Sequence, residues 1–68
     1  MTDLMLFPIS MQIQEVQREI AMRERVYPAW VGKGKMKQST ADQHMNLMRA
    51  VLRTLEQVKA DDDAGPPQ

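Results

Sequence analysis

The sequence predicts an all-α protein: an αα-hairpin of two amphipathic helices, with an apolar N-terminal arm and a disordered acidic C-terminal tail. Three observations predict it. Apolar residues recur at helical spacing in two separate stretches, which is the mark of two amphipathic helices. Pro28, Gly32 and Gly34 punctuate the chain between those stretches. The chain has 68 residues and no Cys, so it makes one domain, without disulfide or thiolate–metal support. A chain this short buries only about 60% of its unfolded surface. Packed helices, a second copy or a bound partner must then supply its stability.

The reading divides the chain into an arm at 1–9, a helical hairpin at 10–59 and a tail at 60–68. The arm, MTDLMLFPI, is apolar and ends next to Pro8. Pro8 biases Phe7 toward an extended conformation. Leu6 and Phe7 then either fold across the helices or insert into a partner.

Ser10 suits the N-cap of the first helix, with Ile9 ahead of it as a staple. Ile13, Val16, Ile20 and Tyr27 form its stripe, and Arg23 stands where the stripe asks for an apolar residue. Glu19 and Arg23 are spaced i,i+4 in the favourable order. Pro28 removes a backbone donor and disfavours an α conformation at Tyr27, so the helix is expected to end or kink near Val26. Ala29, Trp30 and Val31 add one further turn. Gly34 is the residue suited to a positive φ.

The second helix is expected to start at Ser39 or Thr40. Thr40 with Gln43 fits a T-x-x-Q capping box. Ala41, Met45, Met48, Leu52 and Leu55 form its seam, and Val51 and Val58 widen it. The pattern fades after Lys59, and the remaining ADDDAGPPQ reads as disordered. Two helices leave much of each apolar face open. The arm, Tyr27 and Trp30 close that gap in a monomer, and a four-helix bundle closes it in a homodimer.

The formal net charge is zero, but the charges are unevenly placed. Over residues 23–37, Arg23, Arg25, Lys33, Lys35 and Lys37 face one acid, Glu24. A local positive patch suits an acidic protein surface or a polyanion. Within it, residues 25–37, RVYPAWVGKGKMK, hold the only Tyr and the only Trp. Tyr, Trp and Arg are the residue types enriched at binding hot spots. Tyr27 and Trp30 equally suit a small core.

Catalytic and cofactor chemistry finds little purchase. GKGKMK lacks the glycine frame and the hydroxyl of a phosphate-binding loop. His44 is the sole His, where a zinc site asks for three or four ligands. His44 is expected at the edge of the second helix's apolar face. The sequence predicts a non-enzyme with no cofactor, no metal and no membrane span.

From Glu15 to Leu55 the chain resembles a group of small phage and prophage proteins. The carrying residues are REIAMRERVYP with AWV, then GKM, then Ala41 and the run MRAVLRTLE. The pattern R-x-R-V-Y-P-x-W-V-x-x-G-x-M is fairly specific to that group. The resemblance implies a phage protein acting in the host bacterial cytoplasm as a host-takeover factor. The implied partner is a host machine, RNA polymerase first, whose transcription it inhibits or redirects. A helix-turn-helix-like regulator that binds nucleic acid, or an inhibitor of a host defence complex, is the alternative. The implied contact residues are Arg23, Arg25, Tyr27, Trp30, Lys33, Lys35 and Lys37, with Leu6 and Phe7 on the arm.

Overall fold

A computed structural model describes residues 7–64. It contains two helices, α1 (Ile9–Gly32) and α2 (Gln38–Ala64), packed antiparallel as a hairpin. The predicted all-α hairpin is therefore the fold. Residues 1–6 of the arm, Leu6 among them, and residues 65–68 of the tail lie outside the described residues.

α1 begins earlier than its expected cap. Pro8 is the N-cap, with φ −53° and ψ 154°, and no side chain caps the helix. Its carbonyl accepts from the Met11 and Gln12 amides at 2.9 and 3.2 Å. Ser10 therefore sits inside the first turn. Pro8 can enter the helix this way because the donor it lacks would be free there in any case. The Gln12 side-chain amide donates to the Phe7 carbonyl at 2.8 Å and ties down the preceding residue.

The larger correction concerns Pro28. α1 does not end near Val26; it runs through Pro28 to Gly32, 24 residues in all. The physical reason is packing on both sides of the proline. Tyr27 is buried against Ala41 and Met45 of α2, and Val31, one turn on, packs against the same cluster. Tertiary contacts hold the helical path where local propensity opposes it.

The end of α1 follows the sequence. The Lys35 amide donates to the Trp30 carbonyl at 2.8 Å, and the Gly34 amide to the Val31 carbonyl at 3.0 Å. With Gly34 at φ +74° this is a Schellman closure. A Cβ at Gly34 would meet nothing within 4 Å, so the demand for Gly is conformational alone. Gly34→Ala is expected to lower stability by about 1–2 kcal/mol, the cost of left-handed backbone. Gly32→Ala, within the helix and equally unobstructed, is expected to raise stability by about 0.5–1 kcal/mol. Paired urea titrations check the opposite signs, and the same sign for both would refute the closure.

α2 also starts before its predicted cap. The Ala41 amide donates to the Lys37 carbonyl at 3.0 Å, and Gln38 is the first helical residue. Ser39 and Thr40 are inside the first turn, so the T-x-x-Q box is not the start signal. At the other end, α2 passes the point where the apolar pattern fades. Residues 60–64, expected as disordered tail, are its last turn. Polar i,i+4 pairs carry it: Gln57 donates to Asp61 at 2.9 Å, and Lys59 pairs with Asp63. Such pairs stabilise a helix by only about 0.2–0.5 kcal/mol each.

The core is thin. Among the described residues, the buried apolar side chains are Ile13, Tyr27, Ala41 and Met45. Tyr27, Ala41 and Met45 form the central cluster, with Ile20, Val31 and Met36 packed around it. The small Ala41 leaves room for the Tyr27 ring. Met48, Leu52 and Leu55, predicted as seam, are only half-buried.

Candidate functional site

The residues around Tyr27 form the best-defined cluster on the hairpin. Tyr27 is 8% exposed, and three side chains surround its ring. The Arg23 guanidinium lies 5.8 Å from the ring centroid, one helical turn back. Trp30 packs at 6.0 Å with its plane tilted by 36°. His44, from α2, meets the ring edge-on at 6.4 Å and 69°. These distances fall in the range where aromatic pairs and cation–π contacts are attractive.

Arg23 is held as well as placed. Its Nε donates to a Glu19 carboxylate oxygen at 2.9 Å, the i,i+4 pair expected from sequence. Both side chains are partly buried, so Arg23 is fixed over Tyr27 and does not sweep through solvent. The gap it makes in the apolar stripe is thus filled by its stem and its planar head.

Trp30 is 44% exposed. It stacks against Tyr27 and leaves the rest of its indole open, so it is neither a core residue nor a detached one. The turn that follows carries Lys33, Lys35 and Lys37, all exposed. Among the described residues none of the three is in an ion pair. Arg23, Tyr27, Trp30 and these lysines therefore share one end of the hairpin.

Two other predicted residues do not join them. Arg25 is exposed and lies two positions from Arg23, on the opposite side of α1. Phe7 is 52% exposed at the far end of the hairpin. Between Phe7 and Trp30 lies nearly the full length of α1, about 35 Å at 1.5 Å per residue. One compact partner site does not span both. Leu6 is outside the described residues.

Sequence reasoning missed the role of Glu24. It was the lone acid in the basic stretch, and it pairs across the helices with Arg49 at 3.2 Å. Both groups are about half exposed, so the pair is worth no more than about 1 kcal/mol. Its effect is to withdraw Glu24 from the basic end. No local signal marks this pair, because 25 residues separate its members.

The arrangement can hold a planar or anionic group against Arg23, Trp30 and the lysines. Among the described residues there is no group of three or more His, Cys, Asp or Glu that could hold a metal ion. No described helix is long and apolar enough to cross a membrane. Comparison of the chain with protein-family models, curated proteins and solved structures finds no match.

Proposed function

We propose that this chain is a non-catalytic binding module whose working surface is the connector end of the hairpin. The observation that carries the reading is the half-exposed Trp30 ring, packed against Tyr27, beside three lysines that have no acidic partner among the described residues. A rigid aromatic with open surface and adjacent cations is the composition of a protein-binding hot spot. The occupant it suits is an acidic protein surface. The phage resemblance of the RVYPAW region makes a host machine the partner, RNA polymerase first, with inhibited or redirected transcription as the outcome.

The basic residues are poorly arranged for reading a duplex. Arg23 and Arg49 are engaged by Glu19 and Glu24. Arg25 lies on the opposite side of α1 from Arg23, and neither helix carries a continuous basic stripe among the described residues. A helix-turn-helix also needs a tight turn and a short second helix, whereas α2 has 27 residues and an apolar seam.

The test is binding to purified bacterial RNA polymerase, with and without nuclease treatment. Replacing Lys33, Lys35 and Lys37 together by Ala is expected to weaken binding about tenfold or more, mostly through slower association. The melting temperature is expected to stay within a few degrees, because all three side chains are exposed. Equal binding by the variant would overturn the connector surface. Binding that disappears with nuclease would move nucleic acid ahead of protein as the partner.

A further inference from the structure

The hairpin has two unlike sides. On one side the groove between the helices has Tyr27, Val31, Ala41 and Met45 along its floor and a polar rim of Glu24, Gln38, Asp42, Asn46 and Arg49. On the other it is apolar, and Phe7, Met11 and Val16 face Val51 and Leu55 across it. Of the exposed large hydrophobic residues, Phe7, Met11 and Val51 line the second groove, Met22 and Val58 repeat the faces of Met11 and Val51 at i+11 and i+7, and Leu47 lies apart beside Asp42, Gln43 and Asn46. Phe7, Met11, Met22 and Trp30 come from α1 or the residues just before it. Val51 and Val58 come from α2, seven residues apart, one stripe beside the half-buried Leu55.

This surface is large for so small a protein. Six side chains, each about half exposed, offer on the order of 600 Å², against about 800 Å² per partner in a standard interface. The described residues have no fully buried large side chain, so the hairpin alone has little core to stand on.

We infer that a second copy of this chain covers the apolar side, giving an antiparallel four-helix dimer with the two connectors at opposite ends. Charge distribution selects this arrangement. In the connector half, residues 21–50, six bases stand against two acids, a net charge of +4. In the open half, residues 7–20 and 51–64, three bases stand against six acids, a net charge of −3. Antiparallel copies place Lys33, Lys35 and Lys37 of one beside Asp61, Asp62 and Asp63 of the other. Parallel copies place like charges together, which is penalised. The apolar side supplies the affinity, and the exposed charges set the orientation. A two-fold axis lets one stripe serve both copies.

Residues 1–6 are a competing cover, and their truncation separates them from a second copy. The dimer draws on the connector end proposed for the host partner, since it sets Lys33, Lys35 and Lys37 beside the acidic run of the second copy, and Trp30 lies where the two surfaces meet. Mass and melting without any partner present, with substitutions at Val51 and Val58, test the dimer apart from that reading.

Sedimentation equilibrium of the full chain is expected to give twice the 7.8 kDa chain mass. The melting temperature is expected to rise with concentration, as for any fold coupled to association. A monomer with a concentration-independent melt overturns the inference. So does a full chain that is monomeric while a chain lacking residues 1–6 dimerises, since the arm is then the cover. Val51→Glu with Val58→Glu is expected to lower the dimer fraction at least tenfold. The chain has no Cys, so introduced thiols are the only ones present. With a short bismaleimide, a mixture of Lys35→Cys and Asp62→Cys chains is expected to cross-link as the mixed pair. Cross-linking of Lys35→Cys chains mainly with each other would overturn the antiparallel arrangement.

Discussion

Tyr27→Ala is expected to unfold the protein. Truncating a buried aromatic costs about 3–5 kcal/mol. A single core below about 70–80 residues rarely supplies more than about 3–5 kcal/mol in total. Tyr27 is the largest of the four buried side chains, and it touches both helices. Arg23, Trp30 and His44 all pack against its ring, so its removal also releases three neighbours. Tyr27→Phe keeps the ring and is expected to retain most of the stability. Circular dichroism through a urea titration, at one fixed protein concentration, separates the two variants. A cooperative transition for Tyr27→Ala at the wild-type midpoint would mean that Tyr27 is not the centre of the core.

The sequence made the two helices legible because both obey the 3.6-residue period over long stretches. Ile13, Ile20, Tyr27, Ala41 and Met45 were readable as core from spacing alone. Gly34 was readable too, because a Gly after the last helical residue has one strong physical use. The helix ends were less legible, and each error has a cause. Ser10, Ser39 and Thr40 are good caps, but the carbonyls of Pro8 and Lys37 already serve the first turns. Local chemistry ranks capping residues without knowing where packing returns the chain to helix. Met36, packed on the core, fixes that point for α2. The Asp61–Asp63 run reads as solvated tail, and the i,i+4 partners Gln57 and Lys59 extend the helix into it.

The candidate site was half legible. Arg23, Tyr27 and Trp30 were singled out by residue type, and the i, i+4, i+7 spacing brings them together on α1. Arg25 was grouped with Arg23 by nearness in sequence, whereas two residues on a helix are nearly opposite. Phe7 was grouped by hydrophobicity, and the rigid length of α1 separates it from Trp30. The apolar side of the hairpin was harder to see. Its residues belong to two helices running in opposite directions, and only their relative rotation shows that Met11 and Val16 meet Val51 and Leu55 on one side. Val51 and Val58 widened the seam on paper; in the structure they extend it into a surface.

Pro28→Ala is expected to make the protein more stable. A proline in a helix interior costs about 3 kcal/mol relative to Ala, because it removes a hydrogen bond and its ring crowds the carbonyl four residues back. Here that carbonyl belongs to Glu24. Pro28 is exposed, so the substitution opens no cavity. Part of the gain is lost because Ala leaves the unfolded chain freer than Pro does. A net gain of about 2 kcal/mol is expected, which for a chain of this size raises the melting temperature by about 10 °C. A local rule broken at this cost calls for a compensating use, and such breaks gather at functional positions. Pro28 stands between Tyr27 and Trp30, so it sets the course of the last turn that presents the indole and the connector lysines. The second half of the expectation, which rests on the proposed partner, is therefore weaker binding to it by the more stable variant. Thermal melts and binding measured on one preparation decide the matter. A gain in stability with unchanged affinity would leave Pro28 as an unused defect, and the connector end would then not depend on the path of α1. A loss of stability would mean that the helix needs the proline's restriction of the unfolded chain more than it needs the missing hydrogen bond.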